Sequence, residues 1–263
     1  MKFHLFWLCC CFFCFALFDA QAQTDGLAFH SHEVIQDNRT GLSFGEDKPL
    51  CIAGAMELSF EISFLPQQTN YFGYIVRLIN NQEQNIDILY DYDPKFGDKH
   101  FRVIVGDTYS RISFNIPGIG TDESWHTIRI KLDPANNQLA IARDAEVFDE
   151  KIQLPAKNCY SIFFGANDYK TFKNADVPPI KIRNVVIKEN NKVRYNWPLN
   201  ELQGNSAAEI SGHQPGKVSN PIWIAKIHRN WQPLQQLMLK GPASAAFDKE
   251  GGILYLVTRD SLF

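Results

Sequence analysis

Apolar and polar side chains alternate with a period of two through most of the chain. Met56-Glu57-Leu58-Ser59-Phe60-Glu61-Ile62-Ser63-Phe64 sets five apolar residues on one face and Glu or Ser on the other. Successive strand side chains point to opposite sides, so this run predicts a half-buried antiparallel strand. Similar runs at 73–79, 86–90, 100–105, 111–116, 126–132, 138–143, 161–165 and 181–188 predict further strands. Turn-forming residues separate them: Asn80-Asn81, Asp93-Pro94, Pro117-Gly118, the stretch from Asp133 to Asn137, and Pro178-Pro179. No amphipathic helix of three turns precedes residue 200. The pattern predicts an all-β, two-sheet antiparallel sandwich over 23–200.

The alternation weakens after residue 190. Pro198, Gly204-Asn205, Gly212 and Pro215-Gly216 interrupt it, predicting a closing strand at 193–197 and a linker over 201–221. It returns in Ile222-Trp223-Ile224, at 244–248 and at 253–257, where Lys249-Glu250-Gly251-Gly252 has hairpin-turn composition. These strands are too few to close a core. Residues 222–263 therefore read as the start of a second β domain, truncated here, or else as extra strands on the sandwich.

Composition sharpens this at the N-terminus. Of 20 Phe and 6 Cys in the chain, residues 1–22 hold six and four. Lys2, an apolar run from Phe3 to Phe18 and the ending Ala20-Gln21-Ala22 have the layout of a secretory signal peptide cleaved after Ala22. The run is short for a bilayer span, and nothing downstream replaces it. The expected location is outside the cell, in the periplasm or at the cell surface. Cys51 and Cys159 then remain, either as one disulfide or as two separate thiols. With 26 basic against 29 acidic residues, the charge balance carries no footprint for nucleic acid.

Three stretches together resemble a laminin-G-like or concanavalin-A-like jelly roll: 56–64 with Gly73 to Leu78, Ser124-Trp125-His126 through Ala142, and Pro179 to Ile187. The middle one is similar to that family's Trp-His hairpin, except that Ala145 follows Asp144 where the family usually has Gly. The segment from Asn196 to Gly204, with Asn220 to Trp223, resembles the connection between such a sandwich and a β-propeller in secreted bacterial proteins. Residues 247–262 are similar to an opening Kelch-type blade. The resemblance implies a binding module at the front of a larger exported protein, packed against a C-terminal propeller.

Chemistry is sparse in the sequence. Glucanases of this superfamily place paired carboxylates on one strand as Glu-x-Asp-x-x-Glu. The runs at Asp87 to Asp91 and Asp144 to Glu150 match neither order nor spacing, and no catalytic residue is assigned. Asp91, Asp93 and Asp98 are the candidate ligands for Ca²⁺, although Pro94 and Lys95 interrupt them. His30 and His32 lack a nearby third zinc ligand. Sugar recognition needs a flat aromatic beside planar polar groups. That composition recurs in Tyr90, Tyr92 and Asp93, and again in Asn167, Asp168 and Tyr169. Trp125 is expected in the core, and Trp197 and Trp223 at an interdomain contact.

The expected function is a secreted, non-catalytic binding module for glycans or partner proteins. The alternative is an accessory fragment of an exported glycan-active or oxidase-type enzyme whose active site lies in a missing propeller.

Overall fold

The computed structural model describes residues 25–65, 72–93, 95, 99–119, 121, 123–155 and 157–224, together with the backbone of two strands beyond them. The signal-peptide segment, Asp98 and the turn at 249–252 lie outside the described residues.

In chain order the strands are β1 (Gly26–Ala28), β2 (Gly41–Phe44), β3 (Leu50–Ala53), β4 (Met56–Phe64), β5 (Gly73–Asn80), β6 (Asn85–Tyr90) and β7 (Phe101–Val105). They continue with β8 (Thr108–Phe114), β9 (His126–Asp133), β10 (Gln138–Arg143), β11 (Glu146–Lys151), β12 (Lys157–Gly165) and β13 (Ile180–Glu189). The last are β14 (Lys192–Trp197), β15 (Ser206–Ala207), β16 (Gly216–Ser219), β17 (Ile222–Ile224), β18 (Ala243–Asp248) and β19 (Ile253–Thr258). One 3-10 turn, Gln36–Asn38, lies between β1 and β2.

The first seventeen strands build two antiparallel sheets. One runs β11-β10-β9-β4-β13-β1-β17, with β14 sharing an edge of β13. The other runs β15-β16-β2-β12-β5-β6-β7-β8, with β3 beside β12. The sandwich follows from the alternation: Leu58, Phe60 and Ile62 of β4 face Ile162 and Phe164 of β12 across one apolar core. Aromatic rings fill its middle, with Phe164 edge-on to both Phe60 and Phe44 at 5.0 and 6.2 Å. The β13–β14 hairpin turns on Asn190 and Asn191, both at positive φ (48° and 65°), a conformation that Asn tolerates. At the β10–β11 turn only Asp144 takes positive φ, 51°, so Ala145 is accommodated without glycine.

Two expectations are corrected here. Residues 201–221 are not a free linker: β16 pairs with β2, and β17, just beyond, pairs with β1. Their turn residues hid short edge strands whose inward positions, Ala207 and Val218, are buried. Trp197 is likewise no interdomain contact. It is fully buried at 0% exposure, its ring 4.1 Å from Phe44, because it occupies an inward position of β14. Trp223 packs against the same core and donates its Nε1–H to the Gly204 carbonyl at 2.7 Å.

Residues 227–263 form a separate unit. In it β18 and β19 make an antiparallel hairpin, registered from Ala243 opposite Thr258 to Asp248 opposite Ile253.

Candidate functional site

The outer face of the nine-stranded sheet carries polar groups where alternation points side chains away from the core. Arg77 of β5 and Asp87 of β6 are direct cross-strand partners. The Arg77 Nε and Nη2 hydrogens bind the two Asp87 oxygens at 2.9 and 2.8 Å, and Asn85 Nδ2 donates to Asp87 at 2.8 Å. Arg77 is 8% exposed and Asp87 1%. Burial raises the Asp87 carboxyl above its ordinary value, against the pull of Arg77 and Asn85. Burial also pulls Arg77 down, but hydrogen bonding and charge from Asp87 outweigh it and hold the guanidinium higher. The fork-to-carboxylate geometry joins the two groups through two parallel hydrogen bonds. Tyr74 lies beneath the guanidinium, 4.3 Å from its ring centre.

A loop walls this floor on one side. Asn167 and Asn174 exchange backbone hydrogen bonds of 2.8 and 2.9 Å, closing the intervening segment into a tight excursion. The excursion folds back across the sheet. Tyr169 covers Phe163 at 4.9 Å, Arg77 Nη1 donates to the Phe172 carbonyl at 2.8 Å, and Lys170 pairs with Glu83 at 2.9 Å. Between this loop and β7 runs a groove of about 660 Å³, within the ordinary range for ligand sites. Tyr74 and Phe172 give it aromatic surface; Arg77, Asp87, Asn85 and Gln84 give it planar polar groups. On the other side of the loop a second groove of about 500 Å³ is lined by Arg39, Asn167, Asp168 and Asn220.

The candidate residues from the sequence are thereby divided. Asn167 and Asp168 line the second groove, and Tyr169 anchors the loop between the two. Tyr90 is corrected: it is buried among Phe64 and Phe101, and burial pushes its phenol up to about 12. It occupies an inward position of β6, so no ligand reaches its ring. Tyr92 is exposed (41%) and stacks on His100 at 4.5 Å, but neither it nor Asp93 lines either groove. Arg77, Asn85 and Asp87 went unnoticed as binding residues, although each interrupts an apolar strand at an outward position.

Of the three candidate calcium ligands, Asp91 and Asp93 serve their own loop. Asp91 accepts the Asp93 N–H at 3.0 Å; Asp93 accepts the Lys95 N–H and pairs with its ammonium at 2.5 Å. Among the described residues no group of three His, Cys, Asp or Glu side chains is placed to share a metal ion. Among them also, no helix is long and apolar enough to cross a membrane.

The opposite sheet carries two further constellations. Trp125 is half-buried on the outer face rather than in the core, because the Arg183 guanidinium stacks 4.0 Å over its ring. Asp144 receives the Thr127 N–H and contacts His126 Nδ1, both at 2.9 Å, while His126 Nε2 lies 3.5 Å from Ser124 Oγ. The carboxylate thereby ties the β10–β11 turn to β9. Cys51 and Cys159 are cross-strand partners in β3 and β12 with their sulfurs 2.00 Å apart.

No protein-family profile matches this chain. No curated protein matches it by sequence. Solved structures do. A Bacteroides ovatus protein to which carbohydrate binding is attributed is similar with a TM-score of 0.51 and 9% identity, over 76% of this chain and 59% of that one. Mouse laminin α1 domains LG4–5 match at 0.43 and 11%, over 72% of this chain and 49% of that one. A pentraxin from Limulus polyphemus matches at 0.42 and 10%, over 62% and 75%. This chain therefore spans about three-fifths of the Bacteroides protein and half of the laminin chain. The fold is an antiparallel, two-sheet jelly-roll sandwich.

Proposed function

We propose that this sandwich is an exported glycan-binding module and that the groove over Arg77 and Asp87 holds the sugar. One observation carries the reading: a preorganised floor of planar polar groups, fixed by mutual hydrogen bonds, lies beside the rings of Tyr74 and Phe172. Sugars present hydroxyls in a plane and a weakly apolar C–H face, and such a floor meets both. Rigid partners lower the ordering cost of binding. The attribution of carbohydrate binding to the Bacteroides protein of like fold supports the reading. Export by the N-terminal signal, and a role as the front part of a larger protein whose next unit opens with the β18–β19 hairpin, belong to the same proposal.

Retention on immobilised polysaccharides and a glycan array tests it. Binding of a defined glycan by the full chain, lost in Tyr74→Ala, supports the reading. Binding that persists in Tyr74→Ala, or no retention on any glycan, contradicts it.

A further inference from the structure

The two grooves are separated only by the Asn167–Asn174 loop, and Lys173 lines both. The second groove continues into a narrower one of about 190 Å³ that shares Asn167, Asp168 and Ser219 with it. A path thus runs along the outer face of the nine-stranded sheet, from β7 over the loop to β16. We infer that the ligand is an electrically neutral, extended glycan chain that passes over this loop and occupies both grooves. The inference rests on the glycan-binding reading of the first groove.

Charge argues for neutrality. Four cationic side chains line the path (Arg39, Arg77, Lys173 and Lys217), against six carboxylates. The cations are already engaged: Arg77 with Asp87 at 2.8 Å, Lys173 with Asp168 at 2.5 Å, Lys217 with Glu46 at 3.5 Å and Arg39 with Asp176 at 3.5 Å. A uronate or sulfated chain would meet an excess of like charge and would have to break these pairs.

Shape and hydrogen bonding argue for length. Both grooves lie open along the sheet, so each contacts one side of a sugar and gains affinity by repetition along the chain. The second groove also has a built polar group of its own. Arg39 is 8% exposed; its Nη1 donates to the Ala175 carbonyl at 2.6 Å, while its Nε is buried with no hydrogen-bond partner.

Calorimetry on the full chain tests this with cello-, laminari- and malto-oligosaccharides of two and six sugars, and with hexamers of alginate and polygalacturonate. For at least one neutral series the hexamer binds about tenfold or more tighter than the disaccharide. Added salt leaves that affinity unchanged. Gln36 and Asp168 are exposed residues that line the second groove, and the double variant Gln36→Ala with Asp168→Ala brings the hexamer down to the affinity of the disaccharide. Equal affinity for two and six sugars, or a hexamer indifferent to that double variant, overturns the extended path and leaves the first groove intact as a site. A preference for the uronate hexamers that fades with salt overturns neutrality. Failure of every oligosaccharide to bind overturns this inference and the glycan-binding reading together.

Discussion

Arg77 and Asp87 face each other across β5 and β6 in a two-pronged ion pair of 2.9 and 2.8 Å, turned away from the apolar core and buried beneath a loop. A charge pair in that position has a steep one-sided cost. Removing Asp87 alone leaves a buried, uncompensated guanidinium, so Asp87→Ala is expected to destabilise the fold by about 3–5 kcal/mol. Replacing both, as Arg77→Met with Asp87→Leu, is expected to restore stability to within about 1 kcal/mol while abolishing glycan binding. Urea unfolding of the three proteins checks the first part and glycan retention the second. A double variant as unstable as the single one would contradict the pairing argument.

The sulfurs of Cys51 and Cys159 lie at bonding distance between β3 and β12 and enclose a sequence separation of 108. In the chain-entropy model a loop of that size adds roughly 4–5 kcal/mol. A chain beginning at Gln23 is expected to resist alkylation after denaturation unless reductant is present, and reductant or Cys51→Ser with Cys159→Ser should lower the urea midpoint. Alkylation of both thiols without reductant would exclude the bridge.

Glu209 gathers the loop that follows β15. Its carboxylate accepts the N–H groups of Asn196 (2.6 Å), Ser211 (2.9 Å) and His213 (2.6 Å). Desolvation raises its pKa, but these backbone hydrogen bonds outweigh it, and the net value falls below 4.5. A depressed folded pKa gives stability that is present above the unfolded value and lost as pH falls through the folded one. Glu209→Gln is therefore expected to unfold about 1 kcal/mol more easily at pH 7, allowing for solvent screening at this partly exposed site. The gap should fade as pH drops below 4.5. Thermal melts of both proteins between pH 7 and 3 check it; a gap that widens in acid would contradict the assignment.

Strands β15, β16 and β17 are integral to the sandwich. A chain ending at residue 200 loses the buried Ala207 and Val218 together with the pairing of β16 to β2 and β17 to β1. It is expected to be destabilised by more than about 3 kcal/mol, whereas a chain ending at residue 226 keeps a cooperative transition. Equal urea midpoints for the two would show that the segment is dispensable.

Much of the architecture was readable from alternation alone, because β4, β9 and β13 each bury one face over many residues. The short strands β1, β2, β3 and β16 carry too few residues to show a period; β1 forms along β13, β2 and β3 along β12, and β16 in turn along β2. Turn-forming residues at Pro198, Gly204 and Gly212 made 201–221 read as a linker, although Val218 still takes an inward place. The candidate site was half legible. Asn167 and Asp168 lie on the loop between the two grooves, whereas the alternation of β6 aims Tyr90 inward. Arg77 and Asp87 are ten residues apart in sequence; only the register of β5 against β6 makes them a pair.

The most direct test of the glycan-binding account is a chemical-shift map of the isotope-labelled full chain titrated with the tightest of the three neutral hexasaccharides. The account predicts shifts concentrated at Tyr74, the Arg77 side chain, the Asn85 amide, and Gly106 and Thr171, which also line the first groove, extending across the loop to Asn167 and Asn220. Shifts confined to Tyr92 and His100, or to the opposite sheet around Trp125 and Arg183, would contradict it, as would saturating hexasaccharide with no shifts at all.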